Sequence, residues 1–405
     1  MTDHVIDRLG QAGDGIAAGP IYAPGTLPGE VVRGTLSGDR LGDIKIVSPS
    51  PARVAPPCRH AKSCGGCDLQ HAKDSFVADW KAGIVAEALA AHGLAFEMGK
   101  MHVSPPRSRR RASLTGQKTK KGALIGYHAR QSSILVDVME CQVLDPAILA
   151  LKPLLVQITR AGGTRSENLR FAITQTANGA DIDAQGARAL DAGFMAELAE
   201  LGSHFNVARL SWNSEPLATY RRAEVKMGRA RVLPPPGAFL QATPQGEAAL
   251  VARVRAEMTG AARVVDLFSG CGTFSLPLCE TAEVLAVEGT AELLEAAHLA
   301  WRETGGVLKK FSVEKRDLFR RPLMPDELAR FDGAVLDPPR AGAAAQVAEI
   351  AQSDLARLAY VSCSPKSFAR DAAQLVAAGF TMGPVDVVDQ FRWSTHVELV
   401  TGFTR

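Results

Sequence analysis

The sequence predicts an α/β protein in which a Rossmann-like domain follows a small β-barrel and a central α+β segment. Three observations carry this reading. Beyond residue 238, strand-like runs alternate with helical ones, the pattern of a parallel sheet with helices on both faces. A glycine-rich turn, Ser269-Gly270-Cys271-Gly272, follows the first of those strands. Residues 1–52 instead form short β-type runs cut by glycine and proline, as in a small barrel.

In the amino-terminal part these runs are Gly13–Ala17, Ile21–Gly25 and Glu30–Gly34, and Pro49, Pro51, Pro56 and Pro57 mark a linker. A central segment, 53–235, begins with a compact cysteine loop, Cys58 to Cys67. A helix is predicted over 74–91, where Phe76, Trp80, Ile84 and Leu89 recur on one face and suit core packing. Residues 100–235 alternate strand-like and helical pieces whose pattern leaves the topology open. Pro234-Pro235-Pro236-Gly237 then opens the last domain, 236–405.

Charge is uneven along the chain. Residues 1–57 carry 5 basic and 6 acidic side chains, 58–235 carry 24 and 16, and 236–405 carry 17 and 21. Within the basic middle, residues 98–136 hold nine Lys or Arg and no acid, including Arg109, Arg110, Arg111, Lys118, Lys120 and Lys121. Such a stretch fits contact with phosphate, although a solvated hairpin face is the plainer alternative. There is no apolar run of the roughly 20 residues that a membrane helix needs and no signal-peptide pattern. A cytoplasmic location is therefore expected. The seven cysteines then read as ligands, catalytic groups or core residues rather than disulfides.

In the last domain, Thr243-Pro244 reads as the cap and first residue of a helix ending near Met258. Strands are predicted at Arg263–Phe268, Val284–Glu288, Val335–Asp337 and Leu358–Ser362, with helices at about 290–305, 343–356 and 367–378. Two final runs, near 381–388 and 396–404, suit an antiparallel hairpin at the sheet edge.

The turn at 269–272 lets a ligand approach the backbone closely at the switch point of such a sheet. Glu288 ends the next strand, where an acid accepts hydrogen bonds from ribose hydroxyls. The pattern is not GxGxxG, and Asp266 precedes the glycines, the order associated with S-adenosylmethionine (SAM) enzymes. Asp317 is a candidate for the adenine side, against the alternative of an ordinary surface acid. Asp337-Pro338-Pro339-Arg340 fixes a stiff loop at the carboxyl edge of the sheet.

Cys363 closes a strand at that same edge. A lone cysteine is ordinarily a small buried hydrophobe. Here Ser364 and Pro365 open a helix behind it, and a helix N-terminus lowers a thiol pKa from its free value of about 8.5. A thiolate adding to carbon 6 of a uracil would make carbon 5 nucleophilic enough to take a methyl group. Glu398 is the candidate base that then removes the carbon 5 proton, with His396 as the weaker alternative. Cys58, Cys64, Cys67 and Cys141 form a potential four-thiolate set, and spacing alone leaves zinc and iron–sulfur both open.

Taken together, these residues resemble the bacterial RNA uridine-5-methyltransferases over nearly the whole chain. The nearest likeness is to the branch with an N-terminal TRAM domain and a [4Fe-4S] cluster that methylates 23S ribosomal RNA. Leu27-Pro28-Gly29-Glu30 is similar to the TRAM signature, and the four cysteines match the cluster ligands. Phe239-Leu240-Gln241 matches a motif whose glutamine contacts SAM. The resemblance implies a class I methyltransferase fold and a SAM site at Gln241, Phe268, Thr273, Glu288, Asp317 and Asp337, with Cys363 as nucleophile and Glu398 as base. It implies a monomer acting on RNA, ribosomal or alternatively transfer RNA, and a helix at 74–91 that packs with the catalytic domain. The chain departs from the pattern at Ser269, Thr273 and Ser364 and across Phe391-Arg392-Trp393-Ser394-Thr395. The competing class is an RNA-binding iron–sulfur protein without transferase activity.

Overall fold

The computed structural model describes residues 2–138 and 140–405. Strands Asp3–Leu9, Asp14–Ala17, Ile21–Pro24, Val31–Ser37 and Arg40–Ser48 close into a barrel. Its small core is Ile6, Ala17, Ala23, Val32 and Leu41. Glu30 is fully buried there and accepts from the Leu27 amide at 2.9 Å, the Ser50 amide at 3.2 Å and Arg53 Nε at 2.5 Å. Burial works against that charge, but Arg53 and the two amides hold the carboxyl below its ordinary range.

The central sheet has seven strands, with Gly179–Gln185, Leu169–Thr176 and Arg111–Lys118 side by side. Helices Lys152–Gly162 and Ala192–Ser203 contribute Leu154, Leu155, Ile158, Phe194 and Leu198 to its core. These apolar positions recur every three or four residues, so each helix buries one stripe.

The largest sheet runs in the order Phe311–Lys315, Glu283–Glu288, Arg263–Leu267, Gly333–Leu336, Arg357–Ser362, Glu398–Thr404, Val385–Asp389, Met98–Val103. The first five strands are parallel. Glu398–Thr404 lies antiparallel to both its neighbours. The predicted terminal hairpin is therefore present, but it does not end the sheet. Met98–Val103, grouped by sequence with the central segment, adds a parallel strand beyond it. The strand Phe311–Lys315 had no sequence signal because it is an edge strand that alternates buried or half-buried with exposed, partly charged positions.

Helix Asp74–Ala90 ties the units together. Val77 packs with barrel residues Leu9 and Leu27, and Phe76 and Trp80 press against the same cluster. Ile84, Val85 and Leu89 enter the core beside the largest sheet. Lys81 sits on the same buried face, a charge among apolar side chains that periodicity reads as an exception. Its ammonium donates to Asp389 Oδ1 at 2.7 Å and to the Phe391 carbonyl at 3.1 Å.

Candidate active site

The parallel strands end together at one edge of the sheet. Leu267, Glu288, Leu336 and Ser362 are their last residues, and Phe268, Gly289, Asp337 and Cys363 follow them. All four of these following residues line a single cavity of about 650 Å³. Gln241, Thr273, Glu288, Asp317, His396 and Glu398 line it too, so the cavity gathers every residue picked out from the sequence for donor binding and catalysis.

One wall is built by the glycine turn. Phe268 holds a left-handed backbone with φ +63°, rare for an aromatic residue, and Gly270 and Gly272 follow at +55° and +94°. Glycine suits this conformation at 272, and a Cβ there would stand 3.0 Å from the Leu276 side chain, which would have to give way. Glu288 locks the turn from the next strand: its Oε2 accepts from the Gly270 amide at 3.2 Å and its Oε1 from the Thr290 amide at 3.0 Å. Asp266 stays behind the wall. It is fully buried, accepts from Ser275 Oγ at 2.5 Å, and burial pushes its pKa up to about 7. Asp317 spends one oxygen on the amides of Phe319 and Arg320, at 3.0 and 3.4 Å. This turn presents Phe319 to the cavity, where its ring meets that of Phe268 at a centroid distance of 5.4 Å. Nothing in the sequence pattern singled out Phe319.

The opposite wall carries Cys363 and Glu398. Ser362 pairs with Leu399 across the antiparallel strands, which makes Cys363 and Glu398 neighbours. Glu398 is 5 % exposed, and burial, with the nearby Asp337, pushes its carboxyl up to about 8. Asp337 is likewise raised to about 8, by burial and then by Asp266.

Cys363 departs from the sequence expectation. Ser364 does cap the helix Pro365–Ala377, accepting from the Ser367 amide. Yet the thiol is pushed up to about 11, first by burial and then by Glu398 and Asp337, with Arg340 opposing them. Burial and the two neighbouring carboxyl groups thus set the direction, opposite to the one a helix start alone would give. Arg340 Nη2 also lies 2.6 Å from His396 Nδ1. Burial and Arg340 hold His396 below its ordinary pKa, so the neutral ring accepts this bond.

Gln241 is buried at the floor. Its side chain accepts from Gln390 Nε2 at 2.5 Å, while Gln390 Oε1 takes the Ala242 amide at 2.7 Å. Arg110 donates to the Gln241 carbonyl and pairs with Glu247. The loop 390–397 is anchored by residues distant in sequence: Arg392 and Trp393 both bind the carboxylate of Asp74, and the amides of Asp68 and Leu69 donate to the Trp393 carbonyl at 2.8 and 2.9 Å.

The four cysteines of the central segment lie apart from this cavity. Cys58, Cys64, Cys67 and Cys141 are free and half-buried. Burial pushes the Cys67 thiol up to about 12, and Cys141, Cys64 and Cys58 all add to the shift, so the four sulfurs share one neighbourhood. Backbone amides already point at two of them, Gly66 at Cys64 Sγ and Val143 and Leu144 at Cys141 Sγ, over 3.4 to 3.5 Å. Among the described residues, no three His, Cys, Asp or Glu side chains are placed to ligate a single metal ion. Among the described residues, no helix is long and apolar enough to cross a membrane.

Comparison with known proteins matches this geometry. Residues 248–403 match the tRNA (Uracil-5-)-methyltransferase family. An uncharacterized RNA methyltransferase of Caulobacter vibrioides is 43% identical, with 100% of both chains covered. The 23S rRNA (uracil(1939)-C(5))-methyltransferase RlmD of Halomonas elongata is 31% identical over 97% of this chain and 87% of its own. Among solved structures, Pyrococcus abyssi tRNA (uracil-54, C5)-methyltransferase in complex with S-adenosyl-L-homocysteine shares the fold. Its TM-score is 0.77 at 22% identity, covering 99% of each chain.

Proposed function

This chain belongs to the RNA uridine-5-methyltransferase family, and from that premise we propose that it forms 5-methyluridine in RNA with SAM as methyl donor. The observation that carries the reading is the placement of Cys363 and Glu398 side by side in the cavity walled by the glycine turn.

When bound, SAM supplies an electrophilic methyl group. Phe268 and the 269–272 turn, with Thr273, Glu288, Asp317, Asp337 and Gln241, are the residues that would hold it. Their fit is one of shape and donor chemistry: an aromatic wall, a close-approach turn and carboxylates at strand ends. The thiolate of Cys363 adds to carbon 6 of the uracil, which places negative character on carbon 5. Carbon 5 then takes the methyl group. Glu398 removes the proton left on carbon 5, and the bond to Cys363 breaks by elimination. Cys363 and Glu398 must both be ionised for this sequence, and Arg340 is the cation placed to favour both ionised forms.

Ribosomal RNA is the favoured substrate, because the likeness to the 23S rRNA enzyme spans nearly the whole chain. Transfer RNA is the second reading, favoured by the family match over the catalytic part. The barrel, with buried Glu30 of Leu27-Pro28-Gly29-Glu30 tying it to Ser50 and Arg53, is read as a TRAM domain. Cys58, Cys64, Cys67 and Cys141 are read as ligands of a [4Fe-4S] cluster in the RNA-binding central segment. Four clustered thiols with inward amide donors suit a sulfur-ligated centre. Nucleoside analysis of ribosomal and transfer RNA from cells with and without the gene tests the substrate. Loss of 5-methyluridine from 23S RNA alone is expected, and loss from transfer RNA alone would reverse the order of the two readings.

A further inference from the structure

A second groove, of about 280 Å³, opens beside the active-site cavity and shares Arg109, Phe239 and Phe391 with it. It runs over the central sheet, where Arg111 and Arg170 stand on paired strands. Three features set it apart from an ordinary basic surface. First, the run of three arginines splits by partner. Arg110 turns toward Glu247, whereas Arg109, Arg111 and Arg170 have no carboxylate partner among the described residues. Second, Asp183, the one acid among the described residues lining the groove, is 1 % exposed and already accepts from the Ser214 amide at 2.9 Å and Gln185 Nε2 at 3.1 Å. Third, Phe239 is 59 % exposed at the junction of the two cavities, with Arg111 over its ring at 4.7 Å. Arg109 likewise lies over Phe391, at 5.4 Å. An exposed ring beside unpaired guanidinium groups is what a single RNA strand needs, a face to stack on and charge for the phosphate.

We propose that this groove binds the nucleotide adjacent to the target uridine in the same RNA strand, with Arg111 and Arg170 on its phosphate and Phe239 against its base. The proposal rests on the reading of the chain as an RNA uridine methyltransferase. Continuity with the active-site cavity sets the occupant, because a strand delivering a uridine to Cys363 must pass its neighbour over Phe239.

The test uses full-length protein and a fluorescein-labelled dodecauridylate, titrated by anisotropy over a range of salt. The Arg170→Ala variant is expected to bind about ten-fold more weakly, and its log K against log salt slope to fall by about 0.7, the loss of one phosphate contact on a single strand. Arg170→Lys should keep the slope. Phe239→Ala should weaken binding about five-fold or more with no change in slope. SAM affinity of Arg170→Ala, measured by calorimetry, should equal that of wild type, which confirms its folding. Equal RNA affinity and slope in wild type and Arg170→Ala would overturn the proposal. If Arg170 controls RNA binding but wild type methylates no uridine, the groove stands and the uridine reading fails.

Discussion

Ser362 pairs with Leu399 in the antiparallel ladder, and that one register brings Cys363, at the end of its strand, beside Glu398, at the start of the other. Neither is well prepared for reaction in the free protein. The thiol stands near 11, raised by burial and then by Glu398 and Asp337, and the carboxyl near 8, raised by burial and then by Asp337.

The effect of Glu398 on the thiol is measurable. Replacing Glu398 by Gln removes a charge that raises the Cys363 pKa, so thiolate becomes more available at a given pH. Alkylation of Cys363 at pH 8 to 9, mapped by mass spectrometry, should be roughly three-fold faster or more in Glu398→Gln. An equal or slower rate would show that Glu398 does not act on the thiol.

The same substitution separates the chemical steps. With RNA and SAM, Glu398→Gln should accumulate a protein–RNA adduct that survives denaturing electrophoresis, since the proton needed for elimination is not removed. Combining it with Cys363→Ala should abolish the adduct. An adduct in the double variant would point to a different nucleophile.

Stability should follow pH in a defined direction. Glu398 goes from 4.5 to about 8 on folding, and a raised carboxyl stabilises the fold only while it stays protonated. That contribution is complete below pH 4.5 and is lost as pH rises through 8. Glu398→Gln should therefore melt at the same temperature as wild type at pH 4 and higher at pH 9. Calorimetric scans at the two values check this, and a variant less stable at pH 9 contradicts it.

Lys81 and Asp389 form a buried ion pair, 0 % and 3 % exposed in their side chains, that fastens helix Asp74–Ala90 to the loop carrying Phe391 and His396. Lys81→Met leaves Asp389 buried without its partner, at a cost of about 3–5 kcal/mol. Thermal melts should show this loss, and Lys81→Met/Asp389→Leu should recover much of it. Activity should drop in both variants, because the Phe391 carbonyl loses the ammonium as well.

The cysteine set has its own readout. Anaerobically purified protein should be brown with about four irons per chain, and Cys67→Ser should lose the colour. Colourless protein with stoichiometric zinc would contradict the cluster.

Much of the site was legible because motif and strand end coincide. The turn at 269–272, Asp337 and Cys363 each follow an apolar run, and a parallel sheet brings such ends to one edge. What the sequence hid was contact between distant segments. Lys81 looks like a break in a helical stripe until Asp389 faces it. Met98–Val103 lies far in sequence from the sheet it joins, and no local pattern encodes that pairing. The thiol's direction of shift was hidden for the same reason. The helix start is local to Cys363, whereas Glu398 and Asp337 reach it only through the fold.

The most direct test of the central claim is nucleoside mass spectrometry on unmodified ribosomal RNA incubated with SAM and either wild type or Cys363→Ala. The account predicts 5-methyluridine with wild type and none with the variant, although the variant still binds SAM. No 5-methyluridine with wild type, or equal amounts with both, would contradict it.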